Sequence, residues 1–165
     1  MVRRIAESLC EADLRVVVVL GHREAEVRDA LAGVPCEYVR NPAPENGMFA
    51  SVQCGCASVA NEQGCLVMPG DCPGVQAATI KCIRHTLQLY PTRVIIPAYR
   101  GRRGHPVGVP AHVVARIRAL PSTTPGLRTL WPTENVYEVP VADHAVLRDL
   151  DRPEDLIELS ATDNV

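Results

Sequence analysis

The sequence predicts an α/β domain with a parallel sheet covered by helices on both faces, and three observations support this. Short apolar runs recur along the chain, and runs without polar alternation are typical of strands that are buried on both faces. Segments whose apolar residues have helical spacing separate these runs. The resulting order of strand, helix and strand is typical of a three-layer α/β domain. A length of 165 residues suits a single domain, so we expect residues 1–165 to share one core.

The first half of the chain carries the regular part of this pattern. Residues 15–20 (RVVVVL) are the clearest strand, because a continuous β-branched run favours extended, buried backbone. The start, residues 1–12, is amphipathic. In chain order we then predict a helix at 24–31, a strand at 36–39, a turn-rich loop at 41–47, a helix at 48–60, a strand at 65–68, a helix at 75–87 and a strand at 94–97.

The second half is less regular. Residues 101–108 are rich in glycine and arginine, and Pro110 suits the first turn of a helix over 110–120. After a loop at 121–126 we predict strands at 136–141 and 146–150 and a short helix at 153–159. The sequence shows neither repeats nor an interdomain linker.

Composition excludes several function classes. The net charge is −2, which provides no overall basic field for nucleic acid or for an anionic membrane. No apolar run approaches the about 20 residues of a membrane-spanning helix, and the first residues do not resemble a signal peptide. We therefore expect a cytoplasmic protein without nucleic-acid or membrane partners.

The seven cysteines do not form a metal-binding pattern. Their number is odd, and no C-x-x-C pair occurs. We expect small, buried, reduced side chains.

An acidic residue follows the predicted strand at 65–68, in the stretch LVMPGDCP. Ligands of open α/β sheets bind at the carboxyl ends of strands, so Asp71 is well placed to bind Mg²⁺ together with substrate phosphates. The alternative is that Asp71 only caps the helix that follows. The spacing alone leaves both open.

A second acidic stretch, DLDRPED, contains Asp149 and Asp151, which share a face if the segment is a strand. Asp151 could be a second metal ligand. It could equally be the N-cap of a helix that starts at Pro153.

Two loops could contact anionic ligands. Residues 99–107 (YRGRRGHPV) form a predicted mobile, cationic loop, and arginine clusters suit phosphate, although a solvated surface loop is the alternative. Residues 41–51 (NPAPENGMFAS) lead into a helix whose first N–H groups could hold an anion or a base edge, or could only be capped.

Several signatures are absent from the sequence: G-x-G-x-x-G, G-x-x-x-x-G-K-[S/T] and G-x-S-x-G. Dinucleotide-dependent redox enzymes, P-loop NTPases and serine hydrolases are therefore disfavoured.

Taken together, the segments resemble the molybdenum-cofactor cytidylyltransferases and their MobA-like relatives. The matching stretches are VVVVLGH, VRNPAPENGMFASVQCG, LVMPGDCPGV, IPAYRGRRGHPVGVP, GLRTL and VLRDLDRPEDL, in the family's order. They cover nearly the whole chain, and the ordered set is far more specific than any single motif.

This resemblance implies a fold, an activity and a site. The fold would be the Rossmann-like, three-layer nucleotidyltransferase fold, which is glycosyltransferase-A-like. The activity would be transfer of CMP, or another NMP, from the triphosphate to the phosphate of a molybdopterin-type acceptor with Mg²⁺, and GRRGHPV favours CTP. By resemblance, Asp71 and Asp151 would be catalytic metal ligands. Nucleotide-binding residues would be Asn41, Gly47, Ser51 and Gly70, and substrate-binding residues would be Arg103, Gly104 and His105.

The chain departs from the family at its start. The family opens with a strand and a glycine-rich phosphate loop, LAAGxSxRMG, and this chain matches only from the helix after them. Since nucleotidyl transfer depends on positioning and charge stabilisation, we expect impaired activity, and a non-catalytic binding or interaction module is the alternative. The missing strand would lie between the strands at 15–20 and 65–68. We expect these two strands to pair with each other, to accept a strand from a second copy, or to be covered in a homodimer, which we favour.

Overall fold

The computed structural model describes residues 1–61, 63–124, 126–127, 130 and 135–148, which are called the described residues below. Their elements, in chain order, are α1 (Val2–Glu11), β1 (Val16–Leu20), α2 (Glu24–Ala30), β2 (Cys36–Arg40), α3 (Met48–Ala57), β3 (Cys65–Val67), α4 (Ala77–Leu89), β4 (Val94–Tyr99), β5 (Arg102–Arg103), β6 (Val107–Val109), α5 (Ala111–Ala119) and β7 (Val136–Pro140). Single 3₁₀ turns cover Pro44–Asn46 and His144–Leu147. The predicted α/β class is confirmed.

The described strands form two separate sheets. Strands β1 and β2 pair in parallel, from Val16 opposite Cys36 to Leu20 opposite Arg40. The second sheet has the order β3-β6-β4, and β4 also pairs with β5 and β7. Because β3 and β4 are both antiparallel to β6, and β7 is parallel to β4, the carboxyl ends of β3, β4 and β7 lie at one edge of this sheet.

Helices cover both faces of the second sheet, as a three-layer architecture requires. On one face, Ile83 of α4 packs with Ile95 of β4 and Val139 of β7. On the other, Phe49 of α3 and Ile117 of α5 join a larger core cluster that includes alternate residues of β4. Strand β4 has apolar contacts on both faces, which agrees with its continuous apolar sequence.

The same helical layers extend over the first sheet. Ala6 of α1 packs with Val16 of β1 and Leu31, and Leu9 of α1 contacts both this cluster and the one around Ile80 of α4. On the opposite face α3 lies so close to β1 that a Cβ on Gly55 would be 3.2 Å from a methyl group of Val19. Helices α1 and α3 therefore connect the two sheets, one from each side.

Strands β1 and β3, which were expected to flank a missing strand, are not paired with each other in the described part of the chain. Direct pairing, one of the three expected solutions, is therefore wrong for this structure.

Two parts of the predicted architecture need correction. The predicted strand at 146–150 is wrong where it is described, because residues 144–147 form a 3₁₀ turn. Strands β5 and β6 were not predicted, and because both are antiparallel to β4 the sheet is mixed rather than parallel. Residues 149–150 and the predicted helix at 153–159 lie outside the described residues.

The cysteines are less buried than expected. None of the seven forms a disulfide, but only Cys56 and Cys72 are buried, and Cys82 is exposed. Among the described residues, no helix combines the length and the hydrophobicity needed to cross a bilayer.

Candidate functional site

Three segments meet the carboxyl edge shared by β3, β4 and β7. They are residues 68–76 after β3, residues 100–106 after β4, which include β5, and residues 141–148 after β7. Predicted site residues occur in the first two segments, and Asp151 follows the third in sequence. That residue and Asp149 lie outside the described residues, so the expected proximity of Asp71 and Asp151 stays a prediction.

Asp71 lies in the loop after β3, as predicted, with a half-buried side chain. Its Oδ1 atom is 3.6 Å from the Sγ atom of Cys72, which is a weak donor. The helix-capping alternative is wrong, because α4 begins only at Ala77 and its N-cap residue is Gln76. A Cβ on the exposed Gly70 would have no neighbour within 4 Å, so there is open space beside Asp71.

The carboxylate at the start of α4 belongs to Asp143, a residue that the sequence did not indicate. Its Oδ2 atom accepts hydrogen bonds from the Gln76 N–H and the Thr79 hydroxyl, both at 2.9 Å. Its Oδ1 atom accepts the Ala145 N–H at 3.0 Å. Asp143 is buried and thereby joins the loop after β7 to the start of α4. No local signal reveals this role, because Gln76 is 67 residues away along the chain.

Part of the cationic stretch after β4 is a strand rather than the predicted loop. Arg100 and Gly101 have positive φ angles of 49° and 77°, and they turn the chain so that β5 pairs back on β4. Positive φ at both central residues is typical of tight hairpin turns. The Arg103 guanidinium pairs with the Glu138 carboxylate of β7 at 2.7 Å, which links the hairpin to the neighbouring strand.

Gly104 and His105 contact the 3₁₀ turn after β7. A Cβ on the buried Gly104 would overlap the carbonyl oxygen of Val146, so only glycine fits this position without a backbone shift. That carbonyl accepts the His105 N–H at 2.8 Å, and the peptide bond between His105 and Pro106 is cis. The three predicted substrate-side residues are thus held by backbone and ion-pair contacts to β7 and its following turn.

The predicted nucleotide loop lies at the carboxyl ends of β1 and β2, in the other sheet. Asn41 is buried, its Nδ2 atom donates to the Ser51 hydroxyl at 3.0 Å, and its Oδ1 atom accepts the Ala43 N–H at 2.9 Å. Two of the predicted nucleotide residues, Asn41 and Ser51, are therefore bonded to each other. Gly47, with φ at 86°, is the N-cap of α3, and α3 has neither a side-chain cap nor an acidic residue in its first turn. Its first N–H groups can therefore donate hydrogen bonds to an anion.

A pocket of about 400 Å³ opens at this edge. It mixes acidic, basic and amide side chains, and its lining residues are Gly21, His22, Glu24, Arg40, Asn41, Pro42, Pro44 and Glu45. Arg40 lies 3.7 Å from Glu24 within it. The sequence predicted Asn41 as a site residue, and Pro42, Pro44 and Glu45 lie in the predicted 41–51 loop. The position directly after two parallel strands could have indicated the others.

Two thiols, one on α3 and one on β3, contact each other. Cys56, near the end of α3, hydrogen-bonds with Cys65 of β3. This hydrogen bond lowers the pKa of the Cys56 thiol, and the Arg118 guanidinium acts in the same direction. The same hydrogen bond, together with burial, raises the pKa of Cys65. In the described part of the chain, no group of three His, Cys, Asp or Glu side chains is close enough to hold a metal ion.

A sequence profile described as "MobA-like NTP transferase domain" matches residues 1–136. The chain belongs to the MobA-like NTP transferase family. The match includes β1 to β6, the 41–51 loop, Asp71 and the hairpin after β4. No curated protein matches the chain by sequence.

Solved structures share the fold of this MobA-like domain. Rv0371c from Mycobacterium tuberculosis is 24% identical, with a TM-score of 0.79 over 96% of this chain and 82% of that one. A structure of the same protein in complex with manganese has a TM-score of 0.76. A Methanothermobacter nucleotidyl transferase, Mth528, is 22% identical with a TM-score of 0.79, covering 98% of this chain and 79% of that one. Molybdopterin-guanine dinucleotide biosynthesis protein A from Archaeoglobus fulgidus is 17% identical with a TM-score of 0.65, covering 94% and 85%.

Proposed function

We propose that this MobA-like chain is a single domain that binds a nucleoside triphosphate, with CTP preferred, and a molybdopterin-type phosphate acceptor. The reaction would transfer CMP to that acceptor and release pyrophosphate. The observation that carries this proposal is that Asp71 and the pair Gly104–His105 lie near one sheet edge. Asp71 follows β3, and the pair precedes β6, whose first residue Val107 is opposite Val67 at the end of β3. Ligands of α/β sheets bind at such edges.

The residues present fit a divalent cation in part. Asp71 offers hard carboxylate oxygens beside the open space at Gly70, and Mg²⁺ commonly takes one or two protein carboxylates together with substrate phosphates. When bound, Mg²⁺ would offset the negative charge that develops at the reacting phosphate. We propose Asp71 and Asp151 as its protein ligands. The manganese complex of Rv0371c supports the use of a divalent cation in this fold.

The remaining residues would bind and orient the two substrates. The pocket at the carboxyl ends of β1 and β2 would bind the nucleotide, and Asn41 and Ser51 would order the wall of the pocket. The first N–H groups of α3, after Gly47, would face the phosphates of the nucleotide. The hairpin after β4 would take the acceptor. Arg103 is already paired with Glu138, so we propose that it orders the hairpin for Gly104 and His105 rather than supplying an unpaired charge.

We propose that turnover by this chain is weak. The described loop after β1 starts with Gly21-His22-Arg23, which is a poor cradle for a triphosphate, and phosphate positioning dominates this chemistry. The test measures pyrophosphate release with CTP, GTP, ATP or UTP, Mg²⁺ and a pterin acceptor. Robust release with CTP that is lost in Asp71→Ala would refute the impairment.

Cation binding is measured separately, so that it does not depend on turnover. Manganese binding is followed by electron paramagnetic resonance with and without CTP. We expect Asp71→Asn to weaken the CTP-dependent binding about tenfold or more, which corresponds to about 1.4 kcal/mol. Asp29→Asn is the matched control, because Asp29 is exposed on α2. Equal manganese binding by the two variants would disprove the role of Asp71.

A non-catalytic binding module is the second candidate, and one observation favours it. The side-chain amide of Asn41 already bonds to Ser51 and Ala43, so its clearest role is to order the loop. Binding of CTP and manganese by a chain without any pyrophosphate release would support this second candidate.

We also propose that the chain is cytoplasmic and forms a homodimer. In support of the homodimer, Leu89 is 61% exposed beside Tyr90 and Tyr137, whose stacked rings lie 4.6 Å apart and are also exposed. Exposed apolar groups of this kind favour protein contacts. Light scattering at several concentrations tests the dimer, and Tyr137→Lys should weaken it. A monomer at all concentrations would refute it.

A further inference from the structure

The turn after β7 and the hairpin segment after β4 are fixed against each other. The Val146 carbonyl of the turn accepts the His105 N–H at 2.8 Å, and a Cβ on Gly104 would overlap it. Asp143 starts the same turn by accepting the Ala145 N–H. The backbones of the two segments are therefore held together, which fixes where their side chains begin.

Cationic side chains lie around the ring of Tyr99, the last residue of β4. The Arg100 guanidinium lies over this ring, with its Cζ atom 5.3 Å from the ring centroid. The His144 ring meets it edge-on at a centroid distance of 6.3 Å, and the Nη2 atom of Arg148 lies 3.1 Å from the Nε2 atom of His144. Arg102 is directly opposite Tyr99 in the β4–β5 register, so both side chains lie on the same face of the sheet. We call Arg100, Arg102, His144 and Arg148 the cationic cluster.

Among the described residues, no carboxylate balances the cationic cluster. Residues 99–108 contain no acidic residue, and Asp143 is the only one in residues 141–148. Asp143 is buried, and its oxygens already accept three hydrogen bonds. In the described part of the chain none of the three arginines of the cluster forms an ion pair, whereas Arg103 is paired with Glu138. All members of the cluster are exposed except Arg148, which is half-buried. Such a group of accessible cations attracts an anion.

The hydrogen-bond donors of the cluster suit a phosphate group. An arginine only donates, so the Nε2 atom of His144 accepts from Arg148 and the ring carries its proton on Nδ1. No described residue accepts a hydrogen bond from this Nδ1–H. The contact with Tyr99 orients the Arg100 guanidinium, and guanidinium groups bind phosphate oxygens through paired N–H groups.

The cationic cluster lies at the same sheet edge as Asp71. Tyr99 and Val146 pack in one core cluster with Met68 and Val75, which belong to the segment that carries Asp71. A phosphate bound by the cationic cluster would therefore lie near this segment.

We propose that the cationic cluster binds the phosphate monoester of the acceptor, an inference that rests on the proposed function. A phosphate monoester carries close to two negative charges at neutral pH, and the cluster offers three guanidinium groups. Arg100 and Arg148 would donate to its oxygens, and the Nδ1–H of His144 would donate to another oxygen. Arg102 would add positive charge from the same face of the sheet. Arg103, which is already paired, would not take part.

Binding of phenyl phosphate to the full chain, measured by isothermal titration calorimetry at constant pH and low salt, tests the cluster. Phenyl phosphate is an aromatic phosphate monoester and replaces the acceptor in this assay. We expect Arg100→Gln and Arg148→Gln each to weaken binding about fivefold or more, because each removes a charged donor. Arg15→Gln is the matched control, since Arg15 is also exposed but is paired with Glu37 of the other sheet. It should leave the affinity within about twofold.

The histidine ring signals in NMR spectra give a second readout, which does not depend on the folding of the arginine variants. Phenyl phosphate should shift the ring signals of His144, which His144→Gln identifies. It should leave those of His112 unchanged, because His112 is exposed on α5, which covers the other face of the sheet.

Competition shows which phosphate the cluster takes. A saturating concentration of CTP should leave the affinity for phenyl phosphate unchanged. Displacement by CTP or by pyrophosphate would assign the cluster to the nucleotide and overturn its assignment to the acceptor.

Three other results would also overturn the proposal. They are no binding of phenyl phosphate to the unmodified chain, equal affinities in the three arginine variants, and unchanged His144 signals at saturating phenyl phosphate. Pyrophosphate release is measured separately. Its absence would refute the proposed reaction without changing these binding results, so the two failures are distinguishable.

Discussion

Replacing Asp143 by alanine should destabilise the domain strongly, because one carboxylate serves three donors. The donors are the Gln76 N–H, the Thr79 hydroxyl and the Ala145 N–H, at 2.9, 2.9 and 3.0 Å. Thr79 and Ala145 are buried, whereas water can reach the exposed Gln76. A buried donor without an acceptor costs about 1–3 kcal/mol. Two such donors therefore predict a loss of about 4 kcal/mol in the free energy of unfolding.

The assay is urea unfolding followed by circular dichroism, together with thermal unfolding. For a domain of this size, a loss of about 4 kcal/mol corresponds to a decrease of about 12 °C in the unfolding temperature. Thr79→Val is the matched control. It removes one donor but keeps the shape of the side chain, and should cost about 1 kcal/mol. In the double variant the two effects should not add, because both changes remove the same hydrogen bond. A loss below about 1 kcal/mol in Asp143→Ala would refute the reasoning that Asp143 joins the β7 loop to α4.

Two further predictions concern packing and charge. Gly104→Ala should destabilise the chain by about 1–3 kcal/mol, because the new Cβ would overlap the Val146 carbonyl. Gly101→Ala should cost less, since its Cβ would meet no neighbour and only the positive φ is unfavourable. Equal thermal unfolding curves for the two variants would contradict this. The Arg15 guanidinium, at 2.6 Å, lowers the pKa of the exposed Glu37 carboxyl. A carboxyl group whose pKa is lowered by folding stabilises the folded state above its unfolded pKa, and this stabilisation is lost as the pH falls through its folded pKa. The titration midpoint of Glu37, measured by NMR, should therefore lie below its ordinary value and should rise in Arg15→Gln. An unchanged midpoint in that variant would show that the ion pair does not form in solution.

The strands that the sequence predicted correctly are those with a local signal. The valine run at 15–20 and the apolar run at 94–97 gave β1 and β4, because residues buried on both faces must be apolar at every position. Strands β5 and β6 have two and three residues, and they exist because they pair with β4 and β3. Runs that short carry no periodicity, so the sequence predicts only a glycine-rich loop there.

The wrong strand at 146–150 has a specific cause. Val146 and its neighbours are apolar and suit a strand, but Asp143 accepts the Ala145 N–H and starts a 3₁₀ turn instead. The same turn presents the Val146 carbonyl to His105. Local apolarity was therefore a poor guide where a buried carboxylate controls the backbone.

By itself, the sequence determined the α/β class, the family and the place of Asp71 after a buried strand. These depend on local patterns, since burial, turns and the ends of strands can be predicted from residues that are close together in the sequence. Only the tertiary structure decided that the strands divide into two sheets, that Asp143 rather than Asp71 holds the start of α4, and that Arg103 is paired with Glu138. The last two depend on groups that are at least 35 residues apart, as Arg103 and Glu138 are. Hydrogen bonds and ion pairs between such distant residues leave no periodic trace along the chain.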